Sequence, residues 1–286
     1  MDINRNTNVQ SIKKGDTFDV TYKIKPEAIN AKDFNNNKQK DIVLVIDTSG
    51  SMEYIPTKDR EPEPHSDEKS RLDIMKNTAQ IFITKFIDDG KAKIGLVEYN
   101  TAASERFGTV NVKSDNINGL KDAIDKLDAG GSTNIGDGLR TAYYMIANNA
   151  QGHDKYIILM TDGEAEAYSS SDRKGNEYFM DAGNDKYDFE TLWRNNWWGQ
   201  KFANPDYRDK SLDYAEKVAS EKISPSKIKT FVVGFGSGSV NDKNKQIADA
   251  AGGQYCKALD EDSINNIYDE IQKYVEANIS ASAHFE

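Results

Sequence analysis

"DIVLVIDTSGSM", residues 41–52, opens with five consecutive aliphatic side chains, Ile42 to Ile46, and closes on an aspartate and two serines at alternate positions, Asp47, Ser49 and Ser51. An apolar run of this kind, bounded by turn residues, predicts a strand buried on both faces, as in a parallel sheet covered by helices. In such sheets ligands collect beyond the carboxyl ends of the strands. Asp47, Ser49 and Ser51 leave the strand at that end. Their alternate spacing in an extended turn lets all three side chains face one side.

Outward from this strand, apolar strands alternate with amphipathic helices. A helix uses Leu72, Met75, Ala79, Phe82 and Phe86, and "KIGLVEY" and "TVNV" follow. Next come helices with Ile117, Leu120, Ile124 and Leu127, and with Leu139, Ala142, Tyr143 and Ile146, then the strand "YIILM". After a long interruption the pattern resumes around Leu212, at "TFVVGF", near Ile247, at Tyr255, and in a helix with Ile264, Ile267, Ile271 and Val275. The order predicts an α/β fold, a doubly wound and mostly parallel sheet with helices on both faces. The chain shows no internal repeat. Near the N-terminus "TFDVTYKIKP" alternates with period 2, as does the C-terminal "NISASAHFE". The expected organisation is a β-strand segment over 1–40, the α/β domain over 41–278 with an insertion at 164–210, and a strand at 279–286 returning to a small flanking β-domain.

Two further loops belong at the edge that carries Asp47. "AGGSTNIGDGL" offers Thr133 just before a helix, and "ILMTDGE" offers Asp162 at the end of an apolar strand. Two carboxylates and three hydroxyls form an all-oxygen set that suits Mg²⁺ in an octahedral shell completed by water, with Mn²⁺ or Ca²⁺ as alternatives. Scattered histidines and a single cysteine disfavour zinc. Each segment alone also reads as ordinary turn and N-cap chemistry. Asp137 fits a helix start or a group behind the ligands. The glycines of "VGFGSGSV" fit a turn, and Cys256 fits a small buried hydrophobe.

The elements DTSGS, the separate Thr133 in GGSTN and the TDG at Asp162 resemble the metal-ion-dependent adhesion site (MIDAS) of the von Willebrand factor A-type (VWA) domain, over roughly residues 41–277. The resemblance implies that Ser49, Ser51 and Thr133 bind a metal directly or nearly so, while Asp47 and Asp162 act directly or through water. It also implies that an Asp or Glu carboxylate on a protein partner fills the open coordination position. The two-ended arrangement and the Asn- and Lys-rich composition resemble, more loosely, Gram-positive surface proteins and pilus-tip adhesins. The expectation is therefore a non-enzymatic virulence-type adhesion module for a host or matrix protein, at the cell surface, cell wall or pilus tip, monomeric as this fragment.

Composition narrows the alternatives. Thirty-seven basic against 47 acidic residues give a net charge of -10, which argues against nucleic acid and suits cation binding. No apolar run approaches the roughly 20 residues of a membrane span, so direct membrane insertion is not expected. Met1 leads into the polar stretch DINRNTNVQ and the C-terminal strand is cut short, which reads as an excised piece of a secreted protein. An intracellular VWA scaffold for complex assembly is the alternative. A metal-dependent phosphohydrolase is a third reading, but no Cys, His or Lys stands ready as nucleophile or base.

The run from Glu53 to Arg71, charged and with three prolines, reads as an extended solvated loop beside the metal site. The insertion at 164–210 carries Trp193, Trp197, Trp198 and Tyr207 among many Asn, Asp and Gly. Its aromatics either pack among themselves as a subdomain or form a recognition arm, since Trp and Tyr are favoured binding anchors.

Overall fold

A computed structural model gives the fold and describes residues 2–7, 13–14, 20–25, 38–58, 60–87, 90–113, 116–172, 175–182, 188–191, 193–195, 201–203, 205–236 and 242–277. The chain divides into two compact units, residues 1–36 with 276–286, and residues 37–275. In the first, β1 (Asp2–Thr7) pairs antiparallel with β2 (Val20–Lys25), Asp2 opposite Lys25 and Thr7 opposite Val20. β2 carries most of the alternating stretch read from the sequence. The polar DINRNT segment gave no such signal, because its residues lack the alternation of a half-buried strand. The expected returning strand at 279–286 lies outside the described residues.

The second unit holds a six-stranded sheet. Its strands are β3 (Lys40–Asp47), β4 (Ala92–Tyr99), β5 (Ala103–Asn111), β6 (Asp154–Thr161), β11 (Lys229–Phe235) and β12 (Gln254–Ala258). The intervening β7 (Ala167–Ser170), β8 (Asp188–Thr191), β9 (Trp193–Asn195) and β10 (Lys201–Ala203) belong to the insertion. The sheet order is β12-β11-β6-β3-β4-β5, parallel throughout except for β5, which returns antiparallel along β4 at the edge. Because β3 is central, both its faces are covered and all eight of its residues are buried.

The pleat divides the core. Ile42, Leu44 and Ile46 point to one side with α1 (Arg71–Thr84), α2 (Ile117–Asp125) and α6 (Glu261–Ala277). Val43 and Val45 point to the other with α3 (Ile135–Ala147), α4 (Pro205–Val218) and α5 (Asp242–Ala250). Each fully buried aliphatic side chain contributes about 1.5–3 kcal/mol, so a one-residue slip of β3 would misplace both layers. Helix α3 packs tightly on the sheet and on α4: a Cβ at Gly138 would meet the Tyr99 ring of β4 at 2.9 Å, and one at Gly136 would meet the Tyr214 ring of α4 at 2.3 Å.

In the insertion, β7 pairs with β8 and β9 with β10, both antiparallel. Tyr168 is fully buried, with Tyr178 and Tyr207 edge-on to it at centroid distances of 5.6 and 5.8 Å, and Tyr178 packs on Tyr214 of α4. These rings join the layer under α3 and α4 instead of building a core of their own. Trp197 and Trp198 lie outside the described residues, and Trp193 is described only as part of β9.

Candidate metal centre at the carboxyl edge of the sheet

β3 and β6 run side by side with Ile46 opposite Met160, so they deliver Asp47 and Asp162 to the same edge. Asp47 is fully buried, and every hydrogen bond it accepts is local to the site. Its Oδ1 accepts from the Ser49 N–H at 2.8 Å, and its Oδ2 accepts from the Thr161 hydroxyl at 2.9 Å. The Tyr99 hydroxyl, opposite Asp47 on β4, lies 3.3 Å from the same oxygen and 2.8 Å from the Met160 carbonyl. Burial, then the charge of Asp47, pushes the Tyr99 phenol up, so it stays a protonated donor.

The serines complete the turn. Ser49 Oγ and Ser51 Oγ are 3.2 Å apart, and the Ser51 hydroxyl donates to Asp162 Oδ1 at 2.8 Å. That donation commits the Ser51 hydrogen to Asp162 and leaves the oxygen's remaining lone pair to accept a cation. Asp162 Oδ2 accepts from Arg71 Nη1 at 2.6 Å, and the same nitrogen donates to the Ser51 carbonyl at 3.2 Å. Arg71 and Asp162 are both buried, so the ion pair is shielded from solvent.

The loop that carries Thr133 is tied to the end of β3 through its backbone. Gly130 N–H donates to the Thr48 carbonyl at 2.8 Å and Gly50 N–H to the Gly131 carbonyl at 3.1 Å, stitching this loop to the end of β3. The Thr133 carbonyl accepts from Glu166 and Ala167, which ties it to the segment after Asp162. The next residue, Asn134, caps α3 by accepting from Asp137 N–H and donates to Thr101 O and Ser169 Oγ. Asp137 itself accepts from Ala103 N–H at 2.7 Å and pairs with Arg140 at 2.6 Å. It is thus the helix-start residue the sequence indicated.

Electrostatically, two buried carboxylates share the site with one guanidinium. Burial, then the charge of Asp162, pushes the Asp47 carboxyl up to about 7, against the pull of the Ser49 and Thr161 bonds. Burial likewise raises Asp162, opposed by Arg71. A site that holds two carboxylates this unwillingly has the charge and the donor chemistry to accept a hard divalent cation at its hydroxyl oxygens. No group of three or more His, Cys, Asp or Glu that could hold a metal ion occurs among the described residues.

The structure therefore brings the Asp47, Ser49 and Ser51 turn, the Thr133 loop and Asp162 to one edge. Sequence reasoning missed Thr161, Tyr99 and Arg71. Thr161 was legible in "TDG", and Tyr99 in its place at the end of an apolar strand. Arg71 carried no signal, because it opens a helix 91 residues before Asp162. The stretch from Glu53 to Arg71, expected to be solvated, is partly buried: Ile55 and Pro56 lie inside, and the Arg71 N–H donates to the Tyr54 carbonyl at 2.8 Å. The Arg71 guanidinium lies over the Tyr54 ring, 6.0 Å from its centroid, a contact that the charge pattern alone could not reveal. Of the aromatic anchor candidates, Tyr207 is half-buried against Tyr168. No helix among the described residues is long and apolar enough to cross a membrane.

Residues 42–164 match the family model for the von Willebrand factor type A domain. Among curated proteins the chain is similar to calcium-activated chloride channel regulator 1 of Bos taurus, 30% identical over 129 residues, and to the uncharacterized protein YfbK of Escherichia coli K12, 32% identical over 124 residues. These alignments cover 45% and 43% of this chain but only 13% and 18% of the relatives, so the chain matches a small part of each. Among solved structures it is similar to the PilB minor pilin from Streptococcus sanguinis, with a TM-score of 0.67, 23% identity, and 94% of this chain and 67% of that one covered. It is also similar to the pilus adhesin SpaC from Lactobacillus rhamnosus GG, with a TM-score of 0.59, 17% identity, and 85% and 31% covered. A third is the vWF domain of the type V pili tip protein Mfa5 from Porphyromonas gingivalis, with a TM-score of 0.57, 16% identity, and 87% and 98% covered. At these identities the likeness is one of fold.

Proposed function

We propose, on the match of residues 42–164 to the von Willebrand factor type A model, that the chain is a divalent-cation-dependent adhesion module of a surface or pilus protein, not an enzyme. The observation that carries the reading is the committed Ser51 hydroxyl: its hydrogen goes to Asp162, which leaves lone pairs on its oxygen and on that of Ser49, 3.2 Å away, to accept a cation. Ser49, Ser51 and Thr133 would hold the ion with Asp47 and Asp162 beside them, and Mg²⁺ is the natural occupant of such an oxygen set. When bound, the ion supplies a positive centre that attracts an Asp or Glu carboxylate from a protein partner, because neutral hydroxyl ligands leave most of its charge uncompensated. Thr161 and Tyr99 hold Asp47 in place from behind.

The likeness to pilus proteins supports a cell-surface setting and a host or matrix partner. The β1–β2 pair fits a small flanking β-domain. Selectivity among carboxylate-bearing partners requires neighbouring surface, and the insertion is the candidate, with Trp193, Trp197, Trp198 and Tyr207 as anchors.

Two measurements test the reading. Calorimetry with Mg²⁺ and Mn²⁺ is expected to show one site in the native protein and none in Asp47→Ala with its fold preserved by circular dichroism. Adhesion to immobilised matrix proteins is expected with Mg²⁺ and lost in EDTA. Equal metal affinity in the folded Asp47→Ala variant would overturn the site, and EDTA-resistant adhesion would overturn its role.

A further inference from the structure

Arg71 is out of place by every local rule. It occupies the first turn of α1, where the helix dipole opposes a positive charge, and Ser70 with Asp73 already caps that helix reciprocally. It is nevertheless buried, with Nη1 2.6 Å from Asp162 Oδ2 and 3.2 Å from the Ser51 carbonyl. The surroundings are built to admit it: the loop after β11 passes so close that a Cβ at Gly236 would meet Arg71 Nε at 2.9 Å, and Gly236 adopts φ +90. A helix that needed only a cap would not bury a guanidinium against a carboxylate of the proposed metal site.

We propose that Arg71 is a resident cation that sets the charge of this site: it offsets one of the two carboxylates, weakens divalent-ion binding, and leaves a bound ion more of its positive charge for an anionic partner. The argument rests on the metal reading above. With Asp47 and Asp162 ionised, Arg71 leaves one net negative charge around the hydroxyls instead of two. A fixed positive charge in a shielded site repels an incoming divalent ion far more than it would in water. The same charge adds to the ion's attraction for a carboxylate arriving from outside. Arg71 is too buried to touch a partner itself, so its action is through Asp162 and the field it makes.

The experiment compares Mn²⁺ affinity, by calorimetry at fixed ionic strength and pH 8, in the native protein, Arg71→Lys, Arg71→Gln, Asp162→Asn and the double variant Arg71→Gln/Asp162→Asn. Arg71→Lys, which keeps the charge, is expected to bind within a fewfold of the native protein. Arg71→Gln is expected to bind at least about tenfold more tightly. The double variant removes both members of the buried pair, which proteins tolerate better than removal of one. It is expected to bind at least about tenfold more tightly than Asp162→Asn alone, although it gains no ligand. If Arg71 only braces the fold, the double variant binds no better than Asp162→Asn, and that result overturns the proposal even where Arg71→Gln fails to fold. Absence of Mn²⁺ binding by the folded native protein would overturn the metal site itself, and this proposal with it.

Discussion

Two aspartates stand six residues apart on β3, both without solvent exposure, and their surroundings differ in kind. At the amino end Asp41 Oδ2 sits 3.0 Å from His153 Nδ1, a side chain that can offer a proton or a positive charge. At the carboxyl end the donors to Asp47 among the described residues are neutral, Ser49, Thr161 and Tyr99, and a second carboxylate, Asp162, is in reach of its field. Asp41 meets a basic side chain of its own chain at Oδ2, while its buried Oδ1 has no hydrogen-bond partner among the described residues. Asp47 is held by hydrogen bonds from neutral groups, with burial and the charge of Asp162 set against its ionised form. A buried carboxylate is thus not a site by virtue of burial; what faces it decides.

The sharpest way to break this contrast is to remove the charge of Asp47 in metal-free protein. Asp47 holds its proton to about pH 7 when folded and releases it near 3.8 when unfolded. Between those values the unfolded chain binds fewer protons, so stability falls as pH rises, by at most about 1.4 kcal/mol per pH unit. Urea unfolding in EDTA should show that decline between roughly pH 4 and 7. Asp47→Asn should flatten it and raise stability at pH 7 by up to about 4 kcal/mol, while lowering Mn²⁺ affinity by roughly 100-fold. An unchanged pH slope in the variant would put the proton elsewhere.

At the other end the expected effects exchange places. Asp41→Ala leaves His153 without its carboxylate partner and empties a buried position, so a loss of about 1–3 kcal/mol in urea unfolding is expected, with Mn²⁺ affinity unchanged. A smaller and purely functional effect is expected at Thr133. Its backbone carbonyl keeps the Glu166 and Ala167 bonds in Thr133→Ala. Stability should move by less than about 0.5 kcal/mol and Mn²⁺ affinity should fall about tenfold, measured by calorimetry.

The fold was legible because the central strands are covered on both faces, so Ile42–Ile46 and Tyr156–Met160 appear as unbroken apolar runs, and their alternation with amphipathic helices selects a helix-covered sheet. The cluster was legible for the same reason, since residues that end such runs are delivered to one edge whatever the loops between them. Arg71 was not. Helix capping by Ser70 and Asp73 accounts for its neighbours, and nothing local says that its side chain turns back toward Asp162. The insertion was half-legible: its aromatic content excluded a solvated linker, but composition could not say that Tyr168 faces the layer of α3 and α4 while Phe189 faces solvent.

That last pair gives the smallest expected effect and the clearest separation of the insertion's two uses. Tyr168 and Phe189 sit on the paired strands β7 and β8, yet Tyr168 is fully buried and Phe189 is 48% exposed. Replacing an exposed residue removes little buried area, so Phe189→Ala should change stability by less than about 0.5 kcal/mol. If the insertion's outer surface selects the partner, the same variant should weaken Mg²⁺-dependent adhesion by about 1 kcal/mol, since a ring at the edge of a contact contributes less than a central anchor. Metal affinity should not move, because the ring belongs to no element that carries a proposed ligand. Surface-binding kinetics in Mg²⁺ and in EDTA separate these contributions. Full adhesion by Phe189→Ala, together with full adhesion by Trp197→Ala and Trp198→Ala, would make the insertion an extension of the core alone and move selectivity to the Glu53–Arg71 lip.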